Sequence, residues 1–325
     1  MEIQNAYLTL QEKKNQIPVS LLQVKQSKEN YELSYGRYKV GEASPTELKD
    51  AQNQYQTAQL TYYGTLYQYN SARAALEKAI GKNLIQEDTF LVSIMAVNNE
   101  IGSVNDIEEI AKYLKQFPKI AFHVDGVQAI GKININYKDV DMITFTGHKI
   151  HGLVGSGCLI KRKGITLEAI INGGGQENNL RSGTYSLPLI STLALAISKA
   201  IKNQQENFKK VSALGEKLIY ELNQLDDMLV INSNEKVNPF VINFSLRNHK
   251  ASVVVEALSN RNIFVSSISA CHSSGEPMSY VVKALRKDDI LAHNTIRISF
   301  DSQNTVEEID MFIKEFKEII GGLKQ

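Results

Sequence analysis

Cysteine is almost missing from this chain of 325 residues: Cys158 and Cys271 stand alone and far apart, which excludes a disulfide framework and fits a reducing compartment. Long apolar runs are missing as well. No stretch reaches membrane-spanning length, and the start, with Glu2, Gln4 and Asn5, lacks a basic segment followed by an apolar one. No signal peptide and no membrane insertion are therefore expected, and the expected location is cytoplasmic. An excess of either charge is lacking too, since 36 Lys+Arg against 35 Asp+Glu leave a net +1, so no nucleic-acid footprint is expected. The last absence is local. Residues 1 to 85 contain no histidine and no cysteine and only four of the twenty glycines, yet nine of the fourteen tyrosines. Two kinds of structure are joined near residue 85, in a chain too long for one ordinary core.

In the first part Ile3, Tyr7, Leu10, Lys14, Ile17, Leu21, Val24, Lys28, Tyr31, Tyr35 and Tyr38 follow alternating steps of four and three, the spacing of a coiled-coil seam. Pro18 predicts a kink in that helix or its true start. Gly41 suits a C-cap, and Ser44-Pro45-Thr46-Glu47 is a capping box with proline at the first helical position. A second helix then repeats the seam with Leu48, Ala51, Tyr55, Ala58, Tyr62, Thr65, Tyr69, Ala72, Leu76 and Ala79, and Gly81 can end it. The pattern predicts an antiparallel helical hairpin over residues 1–83.

From Asp88 the period changes. Thr89 to Met95 is an apolar run of strand length, Asp106 to Phe117 has helical spacing, and Ile120 to Asp125, Val140 to Phe145 and Gly157 to Ile160 read as further strands. That order predicts an α/β domain with a mainly parallel sheet over residues 88–224. Asn98-Asn99-Glu100, Asp125 and Lys149 each follow an apolar run, so all three fall at one edge of the sheet, where ligands gather. Lys149 ends Thr146-Gly147-His148-Lys149, and lysine with a carboxylate on one sheet edge suits pyridoxal phosphate chemistry. A solvated loop residue is the plain reading of Lys149, and a helix N-cap that of Asp125. For His123 and His151 a satisfied buried hydrogen bond beside the site is expected. Residues 225–325 predict a small α+β domain, with strands at Met228 to Asn232 and Phe240 to Leu246, a helix near Ala251 to Asn260, and a last helix capped by Thr305-Val306-Glu307-Glu308. Within it Ser266 to Ser274 is a polar loop carrying Cys271, and neighbouring His272 favours the thiolate that sulfur chemistry needs. Cys158, on an apolar strand, reads as a small hydrophobe.

Two resemblances follow from these residues. Arg37 to Leu48 at the turn, with Asp50-Ala51-Gln52-Asn53 after it, resembles the final helical hairpin of TolC-family outer-membrane efflux proteins over residues 1 to 82. Val97-Asn98-Asn99-Glu100-Ile101-Gly102, His123-Val124-Asp125-Gly126-Val127-Gln128, Gly147 to Gly152, Gly173 to Glu177 and Leu180-Arg181-Ser182-Gly183-Thr184 together resemble a cysteine desulfurase of the class V aminotransferase family. This second resemblance implies pyridoxal phosphate held by Lys149, with Asp125 at the pyridine nitrogen and Gln128 at the ring hydroxyl. Thr146 and His148 would bind the phosphate, and Thr184 would reach it across a homodimer interface. Asn99 would orient cofactor and substrate, Cys271 would accept sulfur from L-cysteine as a persulfide, and Arg297 would grip the substrate carboxylate. Alanine and a sulfur-acceptor protein complete the implied reaction.

The sequence departs from that pattern. The family's N-terminal segment, with its phosphate loop and its ring-stacking histidine, has no counterpart before residue 88, where the hairpin stands instead, and Ile268 replaces an expected glycine. Sheet edges and apolar faces are then expected to be exposed unless the hairpin covers them, with marginal solubility as the result. A non-catalytic coiled-coil assembly module, or a chimera of two gene pieces, remains the alternative reading.

Overall fold

The computed structural model describes residues 2–79, 85–225, 227–233, 237–267 and 278–322. Two compact units emerge, one of residues 1–89 with 166–185 and one of residues 90–165 with 186–325.

The first unit contains α1 (Glu2–Lys39) and α2 (Pro45–Ala79), packed along each other as the heptads predict. Between them Gly41 takes φ +80°, and the capping box closes in both directions, Glu47 N–H donating to Ser44 Oγ at 3.2 Å and Ser44 N–H to Glu47 Oε2 at 3.1 Å. The α2 seam from Leu48 to Ala72 is buried or half-buried as predicted. The α1 seam differs. Ile17, Val24 and Tyr31 turn inward, but Ser20, Ser27 and Ser34 fill the alternate positions, while Leu21, Lys28 and Tyr35 are exposed. The physical reason lies in the hydroxyls: Ser20 Oγ donates to Gln16 O and Ile17 O, and Ser27 Oγ to Gln23 O and Val24 O, so serine enters the seam already hydrogen-bonded. Small side chains also let the helices approach, and Tyr31 stacks on Tyr55 with centroids 6.1 Å apart. Pro18 lies inside α1, so it is not the helix start. Leu76, Ala79 and Gly81 have no described side-chain placement or lie outside the described residues.

The second unit opens with β1 (Leu91–Met95), α3 (Ile107–Leu114), β2 (Ala121–Asp125), β3 (Met142–Thr146) and β4 (Gly157–Lys161). They form one sheet in the order β1-β2-β3-β4, in which β1, β2 and β3 run parallel and β4 runs antiparallel to β3. Met95 pairs with Asp125 and Asp125 with Thr144, so the three parallel strands end together. The chain continues through α4 (Leu187–Lys202) and α5 (Gln204–Asn223) to a second, antiparallel sheet of β5 (Leu229–Ile231), β6 (Val241–Leu246) and β7 (Thr295–Ser299). Between β6 and β7 lie α6 (Ala251–Ser259), α7 (Tyr280–Arg286) and α8 (Asp289–His293), and α9 (Val306–Gly322) closes the fold. The main core forms here, with Leu218, Phe244, Leu258, Ile296 and Phe316 excluded from solvent and Phe244 edge-on to Phe316 at 5.5 Å. Phe90, just before β1, is 76% accessible, and Ile160, on the edge strand β4, 51%.

Candidate functional site

The site residues stand where parallel strands stop. Asp125 is the last residue of β2 and half-buried, and its Oδ1 accepts the backbone N–H of Val127 at 2.9 Å. One carboxylate oxygen therefore does the turn-capping that the plain reading foresees. Gln128, buried at 7% accessibility, follows in the same turn. Its Oε1 accepts from Lys132 Nζ at 3.0 Å and its backbone carbonyl from Asn238 Nδ2 at 2.9 Å.

After β1 the chain folds back at once. Asn98 Oδ1 accepts the N–H groups of Glu100 and Ile101 at 2.8 and 3.0 Å, and Gly102, at φ +72°, allows the return. That turn presents the backbone carbonyl of Asn99 to Arg297 Nη1 at 3.0 Å. Two predicted substrate residues are thus joined, although through the main chain of Asn99. After β3 a single 3-10 turn, Gly147–Lys149, carries the lysine motif. Gly147 is packed so closely that a Cβ there would lie 2.4 Å from Ser156 Oγ. Thr146 Oγ1 and His148 Nδ1 are 2.6 Å apart, so the two predicted phosphate ligands already share a hydrogen bond. His148 and Lys149 are exposed and border a cavity of about 680 Å³, together with Lys132, His151, Ser299 and Asp301. Asn99, Asp125, Gln128, Thr146 and Arg297 do not line it.

The histidines divide. His123 bonds across three strands, Nδ1 to Ser93 Oγ at 2.7 Å and Nε2 to Thr144 Oγ1 at 3.0 Å, and burial lowers its pKa against the opposing pull of Asp125. It satisfies the hydrogen bonds expected of it. His151 also finds a partner, Asp301 Oδ2 at 2.8 Å, but on the surface, where its side chain is 71% accessible, rather than in the buried setting expected. Cys158 packs half-buried against the cluster around Phe145 and Ile150, as a small hydrophobe does. Thr184 is exposed in the 166–185 stretch of the other unit, where Gly183 N–H donates to Gln176 Oε1 at 3.1 Å.

Cys271 lies outside the described residues, but the chain on either side of it is placed. Ser266 exchanges backbone hydrogen bonds with Arg297 at 2.7 and 3.1 Å, and buried Ser279 donates from Oγ to the buried Glu100 carboxylate at 2.5 Å. The backbone therefore enters and leaves the stretch 268–277 beside the Asn99–Arg297 contact.

Lys132 is a residue that the sequence reading passed over. Burial and the nearby Lys149 and Arg297 cations push its pKa down to about 8, against the pull of Asp301. A signal was present, since Gln128 and Lys132 are four residues apart in a turn-forming stretch, the spacing that puts two side chains on one face.

An outer membrane efflux protein family profile matches residues 1–82. From Lactobacillus delbrueckii subsp. bulgaricus, a NifS/IcsS protein homolog is 37% identical over 242 residues, covering 73% of this chain and 63% of that protein. The cysteine desulfurase IscS of Buchnera aphidicola is 39% identical over 244 residues, covering 74% and 60%. Among solved structures a NifS-like protein superposes with a TM-score of 0.67 at 37% identity, and one from Rickettsia africae with 0.67 at 34%. Those alignments cover 74% and 76% of this chain and 63% and 66% of the solved ones, so the chain spans less than two thirds of each relative. Class V aminotransferases of the desulfurase type depend on pyridoxal phosphate. With the aminotransferase class-V profile matching residues 53–312, four-fifths of its length, this chain belongs to the class V aminotransferase family.

Proposed function

We propose that the chain is a pyridoxal-phosphate-dependent cysteine desulfurase, built as a hairpin over residues 1–83, a partial cofactor-binding domain over 88–224 and a small domain over 225–325. The observation that carries the reading is the shared end of three parallel strands, which places the Asn99 turn, Asp125 and the Lys149 turn along one edge of the sheet. The residues fit the group chemically. Lys149 offers an amine to the aldehyde, Asp125 keeps one carboxylate oxygen for a protonated ring nitrogen, and Gln128 offers its amide to the ring oxygen. Thr146 and His148 supply hydrogen-bond donors for the phosphate, and Thr184 of a second copy completes that set in a homodimer.

Once bound, the cofactor withdraws electrons from the substrate carbon skeleton. Arg297 holds the L-cysteine carboxylate through its planar fork, its position fixed by the Asn99 carbonyl. The Cys271 thiolate attacks the substrate sulfur, forming an S–S bond as the carbon–sulfur bond breaks. The electron pair left on carbon takes a proton, alanine departs, and the outer sulfur of the persulfide passes to an acceptor protein. Placement of Ser266 and Ser279 beside Arg297 and Glu100 supports that role for the segment between them.

Purified full-length chain supplied with pyridoxal phosphate should gain a visible absorption band, and borohydride should fix the cofactor mass on Lys149. Lys149→Ala should lose both signals, and Cys271→Ala should keep the band but lose alanine release from cysteine. Protein that stays colourless after reconstitution sinks the proposal.

A further inference from the structure

Gln128 is held at both ends. Asn238, fully buried, donates from Nδ2 to its backbone carbonyl and is itself tied by its own N–H to Gly102 O at 2.8 Å. At the other end stands Lys132, whose ammonium has three donors and no acceptor and so can face only the amide oxygen. That one bond chooses between the two flips of the amide and turns the NH2 end into the donor that Gln128 presents.

The local fold builds this arrangement. Ile130 N–H donates to Gly126 O at 2.9 Å and Ile133 N–H to Ala129 O at 3.0 Å, which brings residues 128 and 132 onto one face of a helical turn. Gly131 permits it, having φ +73° and so close an approach to α4 that a Cβ would meet Ala200 Cβ at 2.5 Å. Lys132 Nζ lies 5.7 Å from the centre of the Phe240 ring. Its side chain also borders both the cavity beside Lys149 and a second of about 720 Å³ lined by Asp106, Asn134 and Gln204.

We infer that Lys132 is a positioning residue that fixes the Gln128 amide so that its NH2 group meets the ring oxygen of the cofactor. The inference rests on the assignment of Gln128 to that oxygen. Lys132 has its pKa lowered to about 8 by burial and by Lys149 and Arg297, with Asp301 opposing, so the charged lock is complete below that pH. Above it the amine gains a lone pair that can accept from the flipped amide, and the choice of flip is lost.

Two measurements test this. In cofactor-free protein the side-chain amide signal of Gln128, identified by its loss in Gln128→Ala, should titrate in an NMR series with a midpoint near 8. That titration should vanish in Lys132→Met. In reconstituted protein Lys132→Met should weaken cofactor binding by about tenfold, the size of one hydrogen bond, and should have no further effect in the Gln128→Ala background. Lys132→Arg should restore most of the affinity. Equal losses in both backgrounds, or an amide signal that ignores pH, would overturn the positioning role. Wild-type protein that shows the titration yet takes up no cofactor overturns the functional proposal, and the orienting role with it, while leaving the Lys132–Gln128 bond intact.

Discussion

Removing one hydroxyl, in Ser279→Ala, tests how α7 is fastened to the turn beside β1. Ser279 and Glu100 are buried at 0% and 3% accessibility, and Ser279 Oγ does two jobs. It donates to Glu100 Oε2 at 2.5 Å and accepts the Val282 N–H at 3.0 Å as the N-cap of α7. Losing a serine cap costs about 1 kcal/mol. Leaving a buried acceptor without its donor costs about 1 to 3 kcal/mol more. The sum, roughly 2 to 4 kcal/mol, corresponds to a fall of about 30- to 1,000-fold in exchange protection at Val282. Hydrogen exchange resolved to α7 is the suitable assay, because the chain has no tryptophan and most tyrosines lie in the hairpin. Ser279→Thr should recover most of the protection. In a Glu100→Ala background the same serine change should cost only the cap, about 1 kcal/mol. Protection within threefold of wild type in Ser279→Ala, or an equal loss with and without Glu100, would refute the reasoning.

Further predictions concern the same sheet edge. Gly102→Ala would put a methyl group 2.5 Å from Val241 O and 3.2 Å from Asn238 O at a left-handed φ, so a loss of at least about 2 kcal/mol is expected in urea unfolding; a change under 0.5 kcal/mol would mean that the turn opens freely. His123, whose pKa is lowered in the fold, stays neutral while the unfolded chain begins to take up a proton near 6.5. Its contribution is therefore present above that pH and is lost as the pH falls from there through the lower folded value. An NMR titration should place its midpoint below 6.5, and a midpoint at or above that value would contradict the burial argument.

Elements whose signals were local were legible in the sequence. The capping boxes at Ser44 and Thr305 close as written, Asp106 caps α3, and the apolar runs become β1 to β4 within two residues. What escaped depended on partners. Two registers of α1 one residue apart have the same four-three spacing, and counting apolar residues selects Leu21, Lys28 and Tyr35, whereas close packing and back-bonded hydroxyls select Ser20, Ser27 and Ser34. Asn99, which the family resemblance assigns to orienting cofactor and substrate, meets Arg297 through its backbone carbonyl, a contact that residue type does not encode. Lys132 escaped because lysine is so commonly a solvated residue that four-residue spacing from a glutamine attracts no notice.

That omission bears on how Lys149 is to be understood. The sequence suggests a lysine delivered by a buried strand, yet Lys149 is exposed on a 3-10 turn, and it is Lys132 whose charge burial opposes. Lys149 and Arg297 lower the pKa of Lys132, and Asp301, which also meets His151 at 2.8 Å, opposes them. An anion bound beside Lys132 would add to the pull of Asp301, and both a phosphate ester and an amino-acid carboxylate carry that charge. Bound there, either anion would raise the pKa of Lys132 again, so ligand uptake and protonation of the residue that orients Gln128 are thermodynamically linked.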